Sequence, residues 1–302
     1  MKILVTGGAG FIGKNLVDFL QSNHEVTIYD NLSNSSIEDI RPLIIKGAKF
    51  VQADILDHTS LQKSCAGFDV IIHLAAQSDV AESLKNPEFT NEVNVAGTTN
   101  VLKCCAKNKI KKLIFASSAA VYGNLDYTVE ENTTPNPLSP YGQSKLDAEI
   151  EIEKFAKQND IDAVSLRMFN VYDLSYGKHS GVISKFVENV SNDLPIIING
   201  DGKQTRDFIF IEDIVSAFDC AIKNIDGKKG NVYNIATGSS VSIEEIAELI
   251  VAKSGKEIEV IHQAPVQGDI KNSKASVVLA EKELGFVAKH NVVDDLSEIF
   301  KK

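Results

Sequence analysis

The run Val5-Thr6-Gly7-Gly8-Ala9-Gly10-Phe11-Ile12-Gly13 follows an apolar segment, Lys2–Thr6, and opens an amphipathic one. A glycine pattern placed between a strand and a helix restricts the chain to a β-turn-α unit whose helix starts close against the strand. In that unit Gly7 permits the tight turn, Gly10 leaves the backbone open to a pyrophosphate, and Gly13 lets helix and strand pack closely. The N-terminus of that helix offers free main-chain N–H groups, which favour an anion. A turn with no ligand is the alternative reading.

The unit repeats. Lys2–Thr6, Glu25–Asp30, Lys49–Ala53, Val70–Ala75 and Leu113–Ser117 are short, nearly continuous apolar runs separated by lengths that admit a crossover helix. Such runs fit parallel strands covered on both faces, and together they predict an α/β fold, a Rossmann-type doubly wound parallel sheet. Beyond about Arg167 the pattern loosens around Asn199-Gly200-Asp201-Gly202, with helical periodicity at Ile211–Ile222, Ser242–Ala252 and Val277–Leu284. This predicts a nucleotide-binding domain over 1–166 and, over 167–302, a smaller mixed α/β C-terminal substrate lobe. No low-complexity linker separates the two, so the chain is expected to cross between them more than once.

Composition excludes other classes. The net charge of −10, without a basic block, argues against a nucleic-acid partner. No apolar run reaches membrane-spanning length, and the N-terminus reads as a buried strand and not as a signal peptide, so a cytoplasmic protein is expected. Cys65, Cys104, Cys105 and Cys220 lack a Cys-x-x-Cys spacing and the six histidines are scattered. Buried free thiols and no metal are the expectation.

Asp30 ends the second strand, about 20 residues beyond the glycine turn, where a carboxylate accepts hydrogen bonds from an adenine-ribose diol and repels a 2′-phosphate. Asn31 and Ser33 follow it and no arginine occurs before Arg41, so NAD is expected in preference to NADP. Asp54, at the end of the next strand, either meets the adenine or caps the surface.

Ser139-Pro140-Tyr141-Gly142-Gln143-Ser144-Lys145 reads as a helix start with Ser139 as N-cap and Pro140 in the first turn. Tyr141 and Lys145 then share a face, where an ammonium favours phenolate and makes the phenol a base nearer neutrality. A solvated Tyr/Lys face is the bland alternative. Against it stands Ile114-Phe115-Ala116-Ser117-Ser118, an apolar strand ending in two hydroxyls at the sheet edge where ligands of such folds sit. Ser118 would orient a substrate hydroxyl that Tyr141 deprotonates, with Ser117 as the fallback.

Taken with His73-Leu74-Ala75-Ala76-Gln77, Asn94-Val95-Ala96-Gly97-Thr98, Val121-Tyr122-Gly123, Arg167-Met168-Phe169-Asn170-Val171-Tyr172 and Gly200-Asp201-Gly202-Lys203-Gln204-Thr205-Arg206-Asp207-Phe208, these stretches resemble the NAD-dependent nucleotide-sugar epimerase/dehydratase family, extended short-chain dehydrogenases/reductases. The resemblance covers nearly the whole chain. It implies that Ile55, Leu74, Ala75, Ala76, Gln77, Asn94 and Ser117 join Gly7, Gly10, Phe11, Ile12, Gly13, Asp30, Asn31, Ser33, Asp54, Tyr141 and Lys145 in holding NAD.

Within the family the chain resembles most closely the UDP-hexose 4-epimerases, acting on UDP-glucose and UDP-galactose by transient oxidation at C4. Family dehydratases and decarboxylases carry an acidic residue just after the catalytic hydroxyl, where Ala119 and Ala120 stand here; a nucleotide-sugar reductase or dehydratase is the alternative, and a silent NAD sensor the alternative of another class. The resemblance also implies that Asn170 and Arg206 grip the nucleotide diphosphate, that Asp269 belongs to the substrate site, that Val182 and Phe186 lie by the uracil, and that Ser273 leaves room for an N-acetyl group. Arg206 could instead pair with Asp207 or another carboxylate, and Val182 and Phe186 could simply pack a helix face. Val266, Asp173 and Ser276 depart from the family pattern. A homodimer built on helices around Glu88–Lys107 and Ser139–Lys157 is implied as well.

Overall fold

The computed structural model of the protein describes residues 1–174, 181–265 and 270–300. The order of elements is β1 (Lys2–Thr6), α1 (Phe11–Leu20), β2 (Glu25–Asp30), α2 (Ile37–Ile45), β3 (Lys49–Gln52), α3 (His58–Ser64), β4 (Val70–His73), α4 (Val80–Lys85), α5 (Pro87–Asn91), a π-helical turn (Glu92–Ala96), α6 (Gly97–Asn108) and β5 (Lys112–Ser118). A short 3-10 turn at Ala119–Val121 and the long helix α7 (Pro140–Asn159) follow, then β6 (Asp162–Met168), β7 (Asn170–Tyr172), α8 (Val182–Ser191), β8 (Ile196–Asn199), β9 (Thr205–Arg206), β10 (Phe208–Phe210) and α9 (Ile211–Asn224). The remainder is β11 (Lys229–Ile235), β12 (Val241–Ser242), α10 (Ile243–Ser254), β13 (Val260–Gln263), α11 (Val278–Leu284) and α12 (Val292–Ser297).

Seven strands form one sheet in the order β11-β6-β5-β4-β1-β2-β3, and every pairing in it is parallel. The expected α/β doubly wound architecture is therefore present. The five strands read from sequence occupy their places, with ends displaced by no more than a couple of residues, because runs such as Ile3-Leu4-Val5 and Val70-Ile71-Ile72 are wholly buried. One face is covered by α1, α9 and α11, whose apolar sides join β1, β2 and β11 in a core that includes Leu16, Val17, Phe218 and Tyr233. The other face is covered by α3, α6 and α7.

A second body of apolar contacts gathers Ile183, Phe186, Val190, Ile196, Ile246, Ile250 and Leu296 from α8, β8, α10 and α12. Small two-stranded pairs, β7 with β10, β8 with β13 and β9 with β12, frame it. The chain returns from this lobe to the large sheet at 229–235, where β11 pairs with β6. The helix expected around Glu88–Lys107 is continuous in space but not uniform: α5 and α6 are joined by the π-helical turn that contains Asn94. Such turns are inserted where a side chain must be re-aimed, commonly beside a site. Among the described residues no helix is long and apolar enough to cross a membrane, and no group of three or more metal-ligating side chains occurs.

Candidate active site

Strand order reverses at β1, which has β2 on one side and β4 on the other. Loops at the carboxyl ends of these strands diverge there and leave a crevice for a ligand. Gly7, at φ +70°, closes the turn after β1, and a Cβ on it would lie 2.5 Å from the Ala75 amide nitrogen. A Cβ on Gly13 would lie 2.3 Å from the Gly7 carbonyl oxygen. The turn is thus packed as tightly as backbone permits. By contrast, Gly10 heads α1 with no side-chain cap, and a Cβ there would meet nothing nearer than 3.3 Å. That contrast, closed beneath and open above, is the cradle a pyrophosphate requires, and NAD fits it.

Asp30 lies beside this turn. Its Oδ2 accepts from the Ala9 amide at 3.0 Å and its Oδ1 from the Leu32 amide at 2.8 Å. A carboxylate has about four lone-pair directions, so these bonds fix its orientation and leave acceptor capacity for a diol. Asp54 accepts from Asn31 Nδ2 at 2.8 Å and from the Leu56 amide at 2.8 Å, while Ser33 donates its amide to Asn31 Oδ1. Asp54 thus caps the turn after β3, the second of the two uses read for it. Ile55 is buried against Gly97, whose missing side chain is required because a Cβ would sit 2.5 Å from Ile55 Cδ1.

Across the crevice, the Leu74-Ala75-Ala76-Gln77 segment is held by Asn94, whose Oδ1 accepts from the Gln77 amide at 2.8 Å and whose Nδ2 donates to the Gln77 carbonyl at 2.9 Å. The same Nδ2 donates to Ser144 Oγ at 2.9 Å, and Ser144 Oγ donates to the Tyr141 carbonyl at 2.8 Å. The π-helical turn thereby ties the cofactor crevice to the first turn of α7.

That turn begins as the sequence predicts. Ser139 Oγ accepts from the Gly142 amide at 3.1 Å, and Pro140 occupies the first turn. Gly142 lets the helix approach the turn after β5, since a Cβ would stand 2.6 Å from the Ala120 carbonyl oxygen. Tyr141 is consequently brought to Ser118, whose hydroxyl also accepts from the Ala120 amide at 3.2 Å. Lys145 is 3% exposed, donates to the Ala116 carbonyl at 2.8 Å, and lies over the Phe115 ring at 4.8 Å.

The electrostatics differ from those read in the sequence. Burial raises the Tyr141 phenol, with the Ser118 hydroxyl pulling the other way. Burial lowers Lys145 to about 7, opposed by the Glu149 carboxylate. In the protein alone, desolvation outweighs the attraction between the pair, because the ammonium sits 5.9 Å from the centre of the tyrosine ring and is occupied with Ala116.

Ser117 is 1% exposed and its hydroxyl donates to Glu149. Glu149 also accepts from Arg167, at 2.7 Å from Nη2 and 3.0 Å from Nε, and Arg167 donates to the Tyr122 hydroxyl at 2.9 Å. Tyr122 donates in turn to Asn234 at 2.6 Å. None of Glu149, Arg167, Tyr122 or Asn234 was singled out from sequence as part of the site's scaffold. The available signal was an arginine inside the apolar run Ala163–Met168, since a charge buried in a strand demands a partner.

In the smaller lobe, a cleft of about 1060 Å³ opens beside Gly200, Lys203, Gln204, Pro265, Lys271 and Asn272. Arg206 donates to the Thr205 carbonyl at 2.8 Å. The pairing with Asp207 considered from sequence is replaced by another use of that carboxylate: buried Asp207 accepts from the Thr237 amide and hydroxyl, each at 2.8 Å, and from the Gly238 amide at 2.9 Å. Asn170 begins β7, its amide donating to the Asp207 carbonyl. Val182 is half-buried at the head of α8, whereas Phe186 is 3% exposed and belongs to the lobe's core, the helix-packing reading left open above. Ser273 is half-buried in a strap, 270–276, that is stitched to the loop preceding α7: Lys271 N donates to Asn124 Oδ1 at 2.9 Å, and Val129 pairs with Ala275. Ser276 offers its carbonyl to Asn234, and Asp173 accepts from the Leu174 amide. Asp269 and Val266 lie outside the described residues.

Comparison with known proteins agrees with this geometry. The profile of the NAD dependent epimerase/dehydratase family matches residues 3–236. A UDP-glucose 4-epimerase of Mycolicibacterium smegmatis is 34% identical, over 95% of this chain and 93% of that protein. The structure of a UDP-glucuronic acid 4-epimerase from Bacillus cereus, in complex with UDP-glucuronic acid and NAD, superposes with a TM-score of 0.93 at 32% identity, covering 100% of this chain and 98% of the other. A UDP-N-acetylglucosamine 4-epimerase from Methanobrevibacter ruminantium M1 gives a TM-score of 0.91 at 33% identity, covering 99% and 97%. The chain belongs to the NAD dependent epimerase/dehydratase family and is an enzyme whose cofactor is NAD.

Proposed function

We propose that the protein is a UDP-hexose 4-epimerase that interconverts UDP-glucose and UDP-galactose and also takes the N-acetylated pair. The observation that carries this reading is the meeting of Tyr141 and Ser118 at the end of β5, with Lys145 anchored on the Ala116 carbonyl and no acid at Ala119 or Ala120. NAD is held by the Gly7–Gly13 turn, Asp30 and the Leu74–Gln77 segment, and when bound it supplies a hydride acceptor that also gives the hydride back.

The chain's own groups move the proton. Ser118 accepts and donates hydrogen bonds at the sugar C4 oxygen and holds it toward Tyr141, which takes the hydroxyl proton as the alcohol becomes a ketone. After the ketone turns over and presents its other face to the nicotinamide side, Tyr141 returns the proton to the C4 oxygen. Lys145 contributes positive charge beside the phenol, so the tyrosine releases and regains its proton at lower cost when the site is filled. Arg206 and Asn170 hold the diphosphate end; a guanidinium suits phosphate because it donates paired hydrogen bonds. Positions 119 and 120 offer no side chain that could carry a proton to or from C5 or C6, which favours epimerisation over elimination.

Purified protein incubated with one UDP-sugar at a time, with products read by NMR, tests this. The expected product is an isomer of unchanged mass with no net NADH. Loss of water or net consumption of cofactor would instead establish a dehydratase or reductase. Tyr141→Phe should lower kcat by on the order of 10² or more while NAD stays bound. Ser273→Tyr should abolish turnover of the N-acetylated sugars and spare UDP-glucose; undiminished activity on the acetylated pair counts against the room assigned to Ser273.

The same reading makes the protein a cytoplasmic homodimer. Support comes from Val80, Leu84, Phe89 and Ile150, apolar residues that are 45%, 59%, 45% and 53% exposed on α4, α5 and α7, three helices that pack on one another. A second copy would cover them with the equivalent helices of its own.

A further inference from the structure

Four residues beyond Lys145 on α7, Glu149 is 4% exposed, and it is engaged by two elements of the sheet at once. From β5 the Ser117 hydroxyl donates to it, and from β6 Arg167 donates through both Nε and Nη2. Ser117 and Arg167 are themselves register partners in the β5–β6 ladder. One turn earlier on the same helix, Lys145 grips the Ala116 carbonyl. Two successive turns of α7 therefore hold two successive residues of β5, Ala116 and Ser117, and the next residue of the strand is Ser118.

A buried Arg–Glu pair contributes little net stability, because desolvating both charges offsets their attraction, and an apolar replacement is often as stable. The 5% and 4% exposures of the Arg167 and Glu149 side chains put this pair in that class. Something other than stability is its natural use. We propose that Glu149 is a positioning residue for the reaction: through Ser117 it sets where Ser118 stands against Tyr141, and its carboxylate places a negative charge one helical turn from Lys145 in the helix–sheet interface. The inference rests on the roles given above to Ser118, Tyr141 and Lys145.

The titratable groups around Lys145 are Tyr141 and Glu149 on α7, His73 on β4, and Arg167 on β6 beyond Glu149. Tyr141 is neutral because burial raises it. His73 is neutral because burial lowers it to about 3, helped by Lys145 itself. Arg167 is already spoken for by Glu149 and Tyr122. Glu149 is thus the anion that opposes the desolvation of Lys145. Removing its charge makes the ammonium easier to deprotonate, so the alkaline limb of kcat moves to lower pH.

The two halves of the proposal separate in two variants. Glu149→Gln keeps an acceptor for Ser117 and loses the charge; Ser117→Ala keeps the charge and loses the tether. With lysine carbon-13 labelling, and Lys145→Arg to assign the resonance, NMR follows the Lys145 titration in cofactor-free protein without reference to activity. In Glu149→Gln that titration should move down by about one unit, and the alkaline limb of kcat should follow it, a roughly tenfold change in the proton equilibrium. Ser117→Ala should lower kcat by about tenfold, with the Lys145 titration and the sugar KM unchanged. If Glu149→Gln does not fold because Arg167 is left unpaired, Glu149→Gln combined with Arg167→Gln removes both charges and should show a smaller Lys145 shift in the same direction, since the more distant cation is lost as well. An unmoved Lys145 titration overturns the electrostatic half, and full kcat in Ser117→Ala overturns the tether. Wild-type protein that epimerises no nucleotide sugar would overturn the proposed function instead, and the NMR result would stand apart from it.

Discussion

His73 illustrates how one buried residue can organise both sides of a crevice. Its Nδ1 lies 2.7 Å from Thr6 Oγ1 and its Nε2 lies 2.9 Å from Thr98 Oγ1. Thr98 spends its single proton on the Asn94 carbonyl at 2.6 Å, so His73 must donate from Nε2 and accept at Nδ1 from Thr6. The direction of the bonds is then fixed from the residue before the glycine turn to the π-helical turn that carries Asn94. Because folding lowers His73 to about 3, the unfolded chain binds a proton there at pH values where the folded chain does not. Stability from this source is complete above about 6.5 and is lost as the pH falls toward 3. Urea unfolding at pH 7.5 and 5.5 should show a loss of about 1.4 kcal/mol from this group in the wild type and none in His73→Gln. An equal slope in the variant would place the acid sensitivity elsewhere. At this scale the sequence was legible where chemistry has a local signature, as at Tyr141, Lys145 and Asp30. It was opaque at Ser117, His73 and Glu149, whose partners are distant in the chain and become neighbours only through strand register.

The meeting of α7 with the end of β5 depends on a missing methyl group. Alanine at position 142 would place a Cβ 2.6 Å from the Ala120 carbonyl oxygen and 3.1 Å from Pro137 Cβ. The helix start would have to retreat, carrying Tyr141 away from Ser118. A displacement near 1 Å lowers kcat by on the order of 10², so Gly142→Ala should lose about that much activity while retaining NAD and its folded circular dichroism. Retention of full turnover would mean that the first turn of α7 can slide. Elements were the most readable level of the sequence. Apolar runs buried on both faces gave β1 and β2 end for end, and Ser139 with Pro140 gave the start of α7. The π-helical turn between α5 and α6 left no mark, because its extra residue is selected by the contacts of Asn94 and not by any local propensity.

For the whole molecule, the exposed apolar residues of α4, α5 and α7 lead to an expectation about assembly. Introducing Leu84→Glu together with Ile150→Glu should halve the mass measured by light scattering; wild-type protein that is already a single chain in solution would dismiss the interface. Topology was less legible than the elements: nothing local reveals that 229–235 lies beside β6, since a buried parallel strand looks the same in any sheet. That late strand bears on synthesis. Until it emerges from the ribosome, β6 is the bare rim of a six-stranded array, an unpaired row of amides and carbonyls able to template association with another nascent copy. Chains truncated ahead of residue 229 should therefore precipitate or engage chaperones even though every side chain of the tyrosine–lysine machinery has already been made.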